Sequence, residues 1–177
     1  MIRLARAADA ERLRSIERAA GAAFAEVGLD AVAADEPLAV EVLVAYAEAG
    51  RAWVEVDDAD EAVGYVVVDL IDGCAHVEQI SVDPEHQGRG LARRLLDAVE
   101  AWAGAHRLPA LTLTTFTEVA WNASLYEHLG FRRIADDAVG PELRALVAHE
   151  AAAGLDPGAR TCMRRPVATT RRAAPPA

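Results

Sequence analysis

The stretch that decides the fold is residues 81–91, which read Ser-Val-Asp-Pro-Glu-His-Gln-Gly-Arg-Gly-Leu. A strand-like run ends at Val82, the pair Asp83-Pro84 predicts a turn, and two glycines lead into a helix. Such a turn points several backbone N–H groups, together with the positive end of the helix dipole, at one place. The stretch therefore predicts an anion site, most naturally for a phosphate group.

Three arginines accompany this turn, at positions 89, 93 and 94. Positive side chains close to a helix N-terminus are unfavourable unless a negative group lies beside them. We expect a bound phosphate to be that group.

The motif distinguishes between the known types of phosphate-binding loop. A P-loop needs G-x-x-x-x-G-K-[ST], which does not occur in the chain, and a dinucleotide loop needs a third glycine where Arg93 stands. The remaining pattern is [RQ]-x-x-G-x-[GA], which residues 87–92 match as Gln-Gly-Arg-Gly-Leu-Ala. Together with the strand end before it and the amphipathic helix after it, this segment resembles the pyrophosphate-binding loop of the GNAT superfamily of acyl-CoA N-acyltransferases.

Length and composition indicate one domain. The chain has 177 residues, of which 53% are apolar, enough for one buried core. We predict a single domain over residues 1–165 and a disordered tail over 166–177. No run approaches the roughly 18 apolar residues of a membrane span, and the first residues lack the apolar segment of a signal peptide. We expect a cytoplasmic protein with no membrane partner.

The net charge of −10 restricts the partners. It argues against a nucleic-acid partner, because nucleic-acid binding relies on Lys and Arg to neutralise phosphates, and it suits a cationic substrate such as an amine. Cys74 and Cys162 are not expected to form a disulfide in a reducing compartment. No Cys/His cluster has metal-ligand spacing, so no metal is expected.

The hydrophobic pattern predicts an α/β chain with a mixed sheet. The predicted strands are 2–6, 51–56, 63–71, 75–82, 110–115, 131–135 and 160–165. The predicted helices are 9–26, 37–50, 91–105, 119–129 and an extra one at 141–154. Turn signals predict an antiparallel meander over the first four strands, and the strand–helix–strand unit around 91–105 predicts that strands four and five are parallel neighbours. The GNAT resemblance implies this same order, with helices on both faces.

The resemblance implies acetyl-CoA as cosubstrate. In similar proteins strands four and five splay apart at a bulge in strand four, and the pantetheine arm fills the gap. The positions that match the cofactor-binding stretches are Ile80, Ser81, Val82, Gln87, Gly88, Arg89, Gly90, Leu91, Ala92 and Arg93, with Asn122 further along the chain. From the residues alone, 80–82 reads equally as part of a buried central strand.

Acyl transfer to an amine needs a base, because an ammonium group has no lone pair and alkyl amines have a pKa near ~10. Strand four offers His76 and Glu78. Alternation places both, with Ile80 and Val82, on one face if no bulge intervenes. A partly desolvated carboxylate is a better base, and similar enzymes commonly use a strand-four glutamate, so we favour Glu78. The alternative is that Glu78 is a buried partner of an arginine.

The leaving thiolate benefits from a proton source. Residues 122–131 resemble the second family motif, N…Y-x-x-x-G-F, in which the tyrosine points at the cofactor sulfur, and Tyr126 matches it. Many family members carry the asparagine seven residues before the tyrosine, where this chain has Val119, whereas Asn122 lies four before it. The alternative is that Tyr126 only packs in the core.

The acceptor pocket is expected at the end of strand five, where open sheets bind ligands. Candidate lining residues there are Thr114, Thr115, Phe116 and Trp121, and the resemblance adds Phe24 and Tyr46 from the first two helices. The extra helix at 141–154 can be a lid, a dimer contact or a cap on the core.

These features predict an acetyl-CoA-dependent N-acetyltransferase acting on a small amine, with direct attack in a ternary complex and Glu78 and Tyr126 as base and acid. A protein or peptide acceptor and a non-catalytic acyl-CoA sensor are the alternatives. Similar proteins are commonly homodimers, and no residue in this sequence decides whether this chain forms one.

Overall fold

The computed structural model describes residues 1–117, 122–152 and 157–168, apart from the side chains of Val27, Ala31, Asn122 and Pro157. Its centre is a seven-stranded mixed sheet in the order β1-β2-β3-β4-β5-β7-β6. The strands are β1 (Ile2–Leu4), β2 (Ala52–Val56), β3 (Ala62–Ile71), β4 (Cys74–Val82), β5 (Ala110–Phe116), β6 (Arg132–Arg133) and β7 (Arg160–Pro166). The predicted α/β class with a mixed sheet is confirmed.

The connections follow the predicted order. Strands β1 to β4 form an antiparallel meander, and β5 is parallel to β4. Strand β7 lies between β5 and β6 and is antiparallel to both, a placement that the sequence did not predict.

Helices cover both faces of the sheet, as expected. They are α1 (Ala10–Gly21), α2 (Asp30–Ala33), α3 (Val40–Glu48), α4 (Leu91–Ala105), α5 (Asn122–His128) and α6 (Pro141–Ala152). One core contains Leu95, Leu96 and Val99 of α4. The other contains Leu13 of α1 and Leu43 of α3. The spacing of the α4 leucines and valine puts them on one stripe of the helix, which the sheet then buries.

Several predicted boundaries move, among them the first strand, which ends at Leu4 rather than at Arg6. The helix expected over 9–26 is α1 only to Gly21, and a 3₁₀ helix, Ala22–Val27, continues it. Helix α3 begins at Val40 because Ala39 is extended, with ψ of 149°. Strand β6 has two residues instead of five, because the 3₁₀ helix Asp136–Ala138 turns the chain away.

Helix α6 is the extra helix predicted at 141–154, of which residues 153 and 154 lie outside the described residues. Asp72, in the β3–β4 turn, fixes its start: its carboxylate accepts hydrogen bonds from the N–H groups of Glu142 (3.0 Å) and Leu143 (2.9 Å). This is the capping interaction that helix N-termini require.

At the C-terminal side, residues 166–168 stay attached to the domain. The N–H of Val167 donates to the carbonyl of Pro109 (3.0 Å), and the N–H of Ala168 donates to Glu100 (3.0 Å). The rest of the tail predicted over 166–177 lies outside the described residues. In the described part of the chain no helix is long and apolar enough to cross a membrane, and Cys74 and Cys162 are both buried free thiols.

Candidate active site

Strand β4 carries a bulge at Glu78. Val67 of β3 pairs with Gln79 and Val68 pairs with Val77, so that Glu78 is the extra residue between them. A bulge bends its strand and redirects the side chains around it.

The bulge overturns the regular alternation expected for β4. Val77 and Ile80, which regular alternation would place on opposite faces, both pack against the α4 core. The alternation that would place His76, Glu78, Ile80 and Val82 on one face was conditional on a strand without a bulge, and the extra residue shifts the positions after Glu78 by one.

Strands β4 and β5 separate after His76, just before the bulge at Glu78. Within the described residues their ladder consists of Ala75 with Leu111 and His76 with Thr112, although β4 continues to Val82. The backbone of Ile80, Ser81 and Val82 pairs with β3 on one side and faces a gap toward β5 on the other. An open gap with free backbone donors and acceptors can take an extended polar ligand. The predicted splay is present.

The loop after β4 prepares the start of α4. A short 3₁₀ helix, Pro84–His86, is capped by Asp83, and Gly88 and Gly90 both adopt φ of +74°. Only glycine takes this left-handed conformation without strain. These two φ values explain the glycine spacing of the motif.

Backbone donors collect at this loop. The N–H of Gln87 donates to Pro84 (3.3 Å), but the N–H groups of Gly88, Arg89 and Gly90 have no acceptor among the described residues. The first N–H groups of α4, from Leu91 onward, have none within the helix. A row of unpaired donors at the positive end of a 15-residue helix fits a pyrophosphate.

The three arginines have different surroundings. Arg94 makes two 3.1 Å hydrogen bonds to the buried carboxylate of Glu55. Arg93 donates to the carbonyl of His128 (3.1 Å), and Arg89 is exposed. The expectation that a phosphate balances all three is wrong for Arg94, because Glu55 already balances its charge.

The surroundings of the Glu78 carboxylate shift its pKa. Its side chain reaches solvent, yet the protein around the bulge removes part of its hydration. This desolvation, followed by the negative charges of Asp69 and Glu150, raises the pKa of Glu78, and Arg160 opposes the rise. Glu78 makes no ion pair with the described residues, which disfavours the alternative of an arginine partner.

His76 is less suited to act as the base. It is 1% exposed, and its Nδ1 lies 3.0 Å from the hydroxyl oxygen of Thr112. Burial lowers the pKa of His76 to about 4. The ring is therefore neutral at neutral pH and only weakly basic, and Glu78 remains the better candidate.

Tyr126 lies on α5 and is half-buried. Its ring packs edge-on against Phe131, with centroids 5.8 Å apart, so the core-packing interpretation holds for the ring. The hydroxyl has no hydrogen-bond partner in the described part of the chain. Desolvation raises the pKa of Tyr126 to about 12, which keeps the phenol protonated.

Three predicted positions cannot be placed. Val119 and Trp121 lie outside the described residues, as does the side chain of Asn122, whose backbone begins α5. A cofactor contact by Asn122 stays a prediction.

Sequence reasoning missed a polar network at the end of β5. Nη2 of Arg160 donates to the hydroxyl of Thr114 (2.6 Å) and to Glu150 (3.0 Å), and Thr114 donates to the same Glu150 oxygen (3.0 Å). The Arg160 guanidinium also lies 4.9 Å from the centre of the Phe116 ring, and Phe24 packs on that ring at 5.9 Å. No local motif marks Glu150 or Arg160, since helix α6 and strand β7 bring them to β5.

Asp69 was missed for the same reason. Its carboxylate accepts hydrogen bonds from Tyr46 of α3 (2.8 Å) and from Arg51 (2.9 Å). These three residues line a cavity of about 340 Å³ together with Glu41, Val42 and Ala45. At this cavity the predicted acceptor residue Tyr46 contacts Asp69, the carboxylate whose negative charge raises the pKa of Glu78.

Known proteins share this architecture. The sequence model of the acetyltransferase (GNAT) family matches residues 13–131. The N-acetyltransferase PaiA of Thermoplasma acidophilum, solved with coenzyme A, superimposes with a TM-score of 0.73 at 15% identity, over 94% of this chain and 98% of that one.

Two further solved structures are similar. The ribosomal-protein-S18-alanine N-acetyltransferase of Escherichia coli gives a TM-score of 0.65 at 16% identity, over 98% of this chain and 97% of that one. N-acetylglutamate synthase of Neisseria gonorrhoeae gives 0.70 at 17% identity, over 95% of this chain but 35% of its own. These structures share the fold, and the family match extends over more than half of the sequence. The chain therefore belongs to the GNAT acetyltransferase family and is an acetyl-CoA-dependent transferase.

Proposed function

We propose that the protein transfers the acetyl group of acetyl-CoA to the primary amine of a small cationic molecule, by direct attack within a ternary complex. The observation that carries the proposal is the position of Glu78. It is a carboxylate of raised pKa, at the bulge where β4 and β5 separate, and it has no partner of its own among the described residues.

Binding of the cosubstrate follows from the backbone. The unpaired N–H groups of residues 88–92 would hold the pyrophosphate, with Arg89 and Arg93 at the same helix end. The gap beside Ile80, Ser81 and Val82 would take the pantetheine arm. Acetyl-CoA, when bound, supplies the activated thioester.

Two side chains would move protons. Glu78 would accept the proton of the acceptor ammonium, and its raised pKa brings its basicity closer to neutral pH. Tyr126, whose pKa is raised to about 12 and which is protonated at neutral pH as tyrosines ordinarily are, would donate a proton to the departing sulfur. Glu78 thus serves the nucleophile and Tyr126 the leaving group.

The surroundings of Glu78 favour a small acceptor that carries positive charge. The negative charges of Asp69 and Glu150 both raise the pKa of Glu78, so this region attracts positive charge. The packed rings of Phe24 and Phe116 give an apolar wall nearby. Thr114 and Arg160 hold Glu150 at the end of β5, where its carboxylate would attract a positively charged acceptor.

Thiol release from acetyl-CoA tests the proposal, with panels of diamines, amino acids, aromatic amines and short peptides as acceptors. Release with small cationic amines is expected. The chain contains no lysine, so acetylation of its own lysine side chains cannot mimic turnover. Silence across the panel, while acetyl-CoA still raises the melting temperature, would contradict the proposal and favour a large protein acceptor or a sensor.

A further inference from the structure

A second cavity lies at the opposite end of the sheet from the loop after β4. Its volume is about 460 Å³, within the range of ligand sites. It is lined by Cys74, at the start of β4, and by Thr112 and Arg164, with Ile134 and Leu143 on the other side. None of these residues belongs to the site proposed above for acetyl transfer.

Three arginines line this cavity, Arg132, Arg133 and Arg164. Arg132 stands directly opposite Arg164 on neighbouring strands, an arrangement of like charges that is destabilising by itself. Within the described residues, Arg132 donates only to the carbonyls of Glu127 (3.3 Å) and Phe131 (2.9 Å), and Arg133 is 3.8 Å from the Glu127 carboxylate. The Arg164 guanidinium has no hydrogen bond or ion pair with the described residues.

The described carboxylates at the cavity balance these three charges only in part, since Asp72 lines it and Glu127 lies beside Arg133. Among the described residues that line the cavity, Asp72 alone is acidic. Both of its oxygens accept hydrogen bonds from the first N–H groups of α6, at Glu142 and Leu143. The cavity is therefore a positive site in a protein whose net charge is −10.

We propose that this cavity binds a small organic carboxylate. The carboxylate would pair with the guanidinium of Arg164, whose planar fork matches two carboxylate oxygens. The apolar part of the ligand would pack against Ile71, Ile134 and Leu143. The proposal does not depend on the acetyl-transfer function.

Thermal shift and isothermal titration with the full chain test this site. The probes are benzoate and butyrate, with benzamide and butyramide as neutral analogues and inorganic phosphate as a plain oxyanion, all at matched ionic strength. Saturable binding of the carboxylates, and none of the amides, is expected. Absence of saturable carboxylate binding would overturn the proposal, and phosphate binding as tight as that of benzoate would overturn the role of the apolar wall.

Variants locate the binding. Arg164→Gln should weaken benzoate binding by about tenfold or more, and Arg164→Lys, which keeps the charge but loses the fork, should weaken it less. Arg107→Gln is the matched control, since Arg107 is exposed and lies outside the cavity lining. Unchanged binding in Arg164→Gln would refute the site. If Arg164→Gln does not unfold cooperatively, unchanged benzoate binding in Arg164→Lys would likewise refute the site.

Discussion

At the level of single residues, the environment of Glu78 depends on the bulge in β4, in which Glu78 is the extra residue. Because general-base catalysis contributes strongly to such reactions, we expect Glu78→Gln to lower kcat by about tenfold or more. A base must be deprotonated, so activity should rise with pH through the raised pKa of Glu78, and this limb should disappear in the variant. Steady-state rates across a pH series measure both effects.

The same pKa shift predicts the effect on stability. A raised folded-state pKa means that the folded protein favours the protonated carboxyl, so the stability it contributes is lost as pH rises through that pKa. The neutral glutamine should therefore leave the melting temperature at pH 8 unchanged or higher. Glu48→Gln, an exposed change on α3, is the control. An unaltered pH–rate profile in Glu78→Gln would sink the assignment.

Tyr126 permits a separate test, because its hydroxyl and its ring have different surroundings. Tyr126→Phe keeps the ring contact with Phe131 but removes the proton donor. We expect slower acetyl transfer with nearly intact affinity for acetyl-CoA, measured by single-turnover rates and by titration. Normal turnover in this variant would leave Tyr126 with a packing role only.

Sequence predicted the residues that belong to local patterns. Glu78 and Tyr126 could be proposed from the sequence because a strand pattern and a short motif mark their positions. Asp69, Glu150 and Arg160 were not, since three separate elements bring them to the site and no spacing connects them. The family resemblance implied a bulge in strand four, but no residue type at 77–79 marks its position at Glu78.

At the level of elements, the loop before α4 depends on backbone conformation more than on side chains. Gly90 has φ of +74°, so Gly90→Ala should destabilise the protein by roughly 1–2 kcal/mol through backbone strain. The variant should also reduce the rise in melting temperature that acetyl-CoA causes, because the N–H groups lose their alignment. Urea unfolding and thermal shift measure the two effects.

Gly21 supplies the matched control for this substitution. It has φ of −62° and no atom within 4 Å of an added Cβ. Gly21→Ala should stabilise the protein by roughly 0.4–1 kcal/mol and leave the response to acetyl-CoA unchanged. Equal behaviour of the two alanine variants would show that φ at Gly90 does not matter for binding.

Helix α6 links the far end of the sheet to the proposed acceptor site. Its start is capped by Asp72, and near its end Glu150 contacts Thr114 and Arg160. We expect Glu150→Gln to raise KM for a cationic acceptor while leaving the affinity for acetyl-CoA unchanged. His149→Ala, an exposed change next to it, should alter neither. A matching loss of acetyl-CoA affinity in Glu150→Gln would mean that α6 serves the fold rather than the acceptor.

The order of elements along the chain was predictable throughout, but the order of strands in the sheet was predictable only as far as β5. Turns between β2 and β3 and between β3 and β4 specify hairpins, and the α4 crossover specifies a parallel neighbour. The position of β7 between β5 and β6 depends on long-range pairing, for which the sequence of 160–165 has no local signal. For this reason the role of α6, which the chain places just before β7, could only be seen in the folded protein.

At the level of the whole molecule, several carboxylates join separate elements, and three of them pair with arginines that are distant in sequence. Asp9, Glu55, Asp83 and Glu100 all have lowered pKa values, because hydrogen bonds and charges outweigh the effect of burial. A lowered folded-state pKa contributes stability that is present above the unfolded-state pKa and lost as pH falls through the folded-state value. We therefore expect acid to unfold the protein through these groups together.

Glu55 offers the clearest test of this acid unfolding. It is 5% exposed, and its ion pair with Arg94 joins β2 to α4. Burial alone would raise the pKa of Glu55, but hydrogen bonds from Arg94 and the Met1 amino group lower it below its ordinary value of 4.5. Glu55→Gln should lower the melting temperature at pH 7 and flatten its decline below about pH 4.5, because one fewer carboxylate is protonated on unfolding. Glu26→Gln, an exposed change, should reproduce the parent curve. Parallel curves for Glu55→Gln and the parent, measured from pH 7 to pH 3, would show that this ion pair does not hold α4 to the sheet.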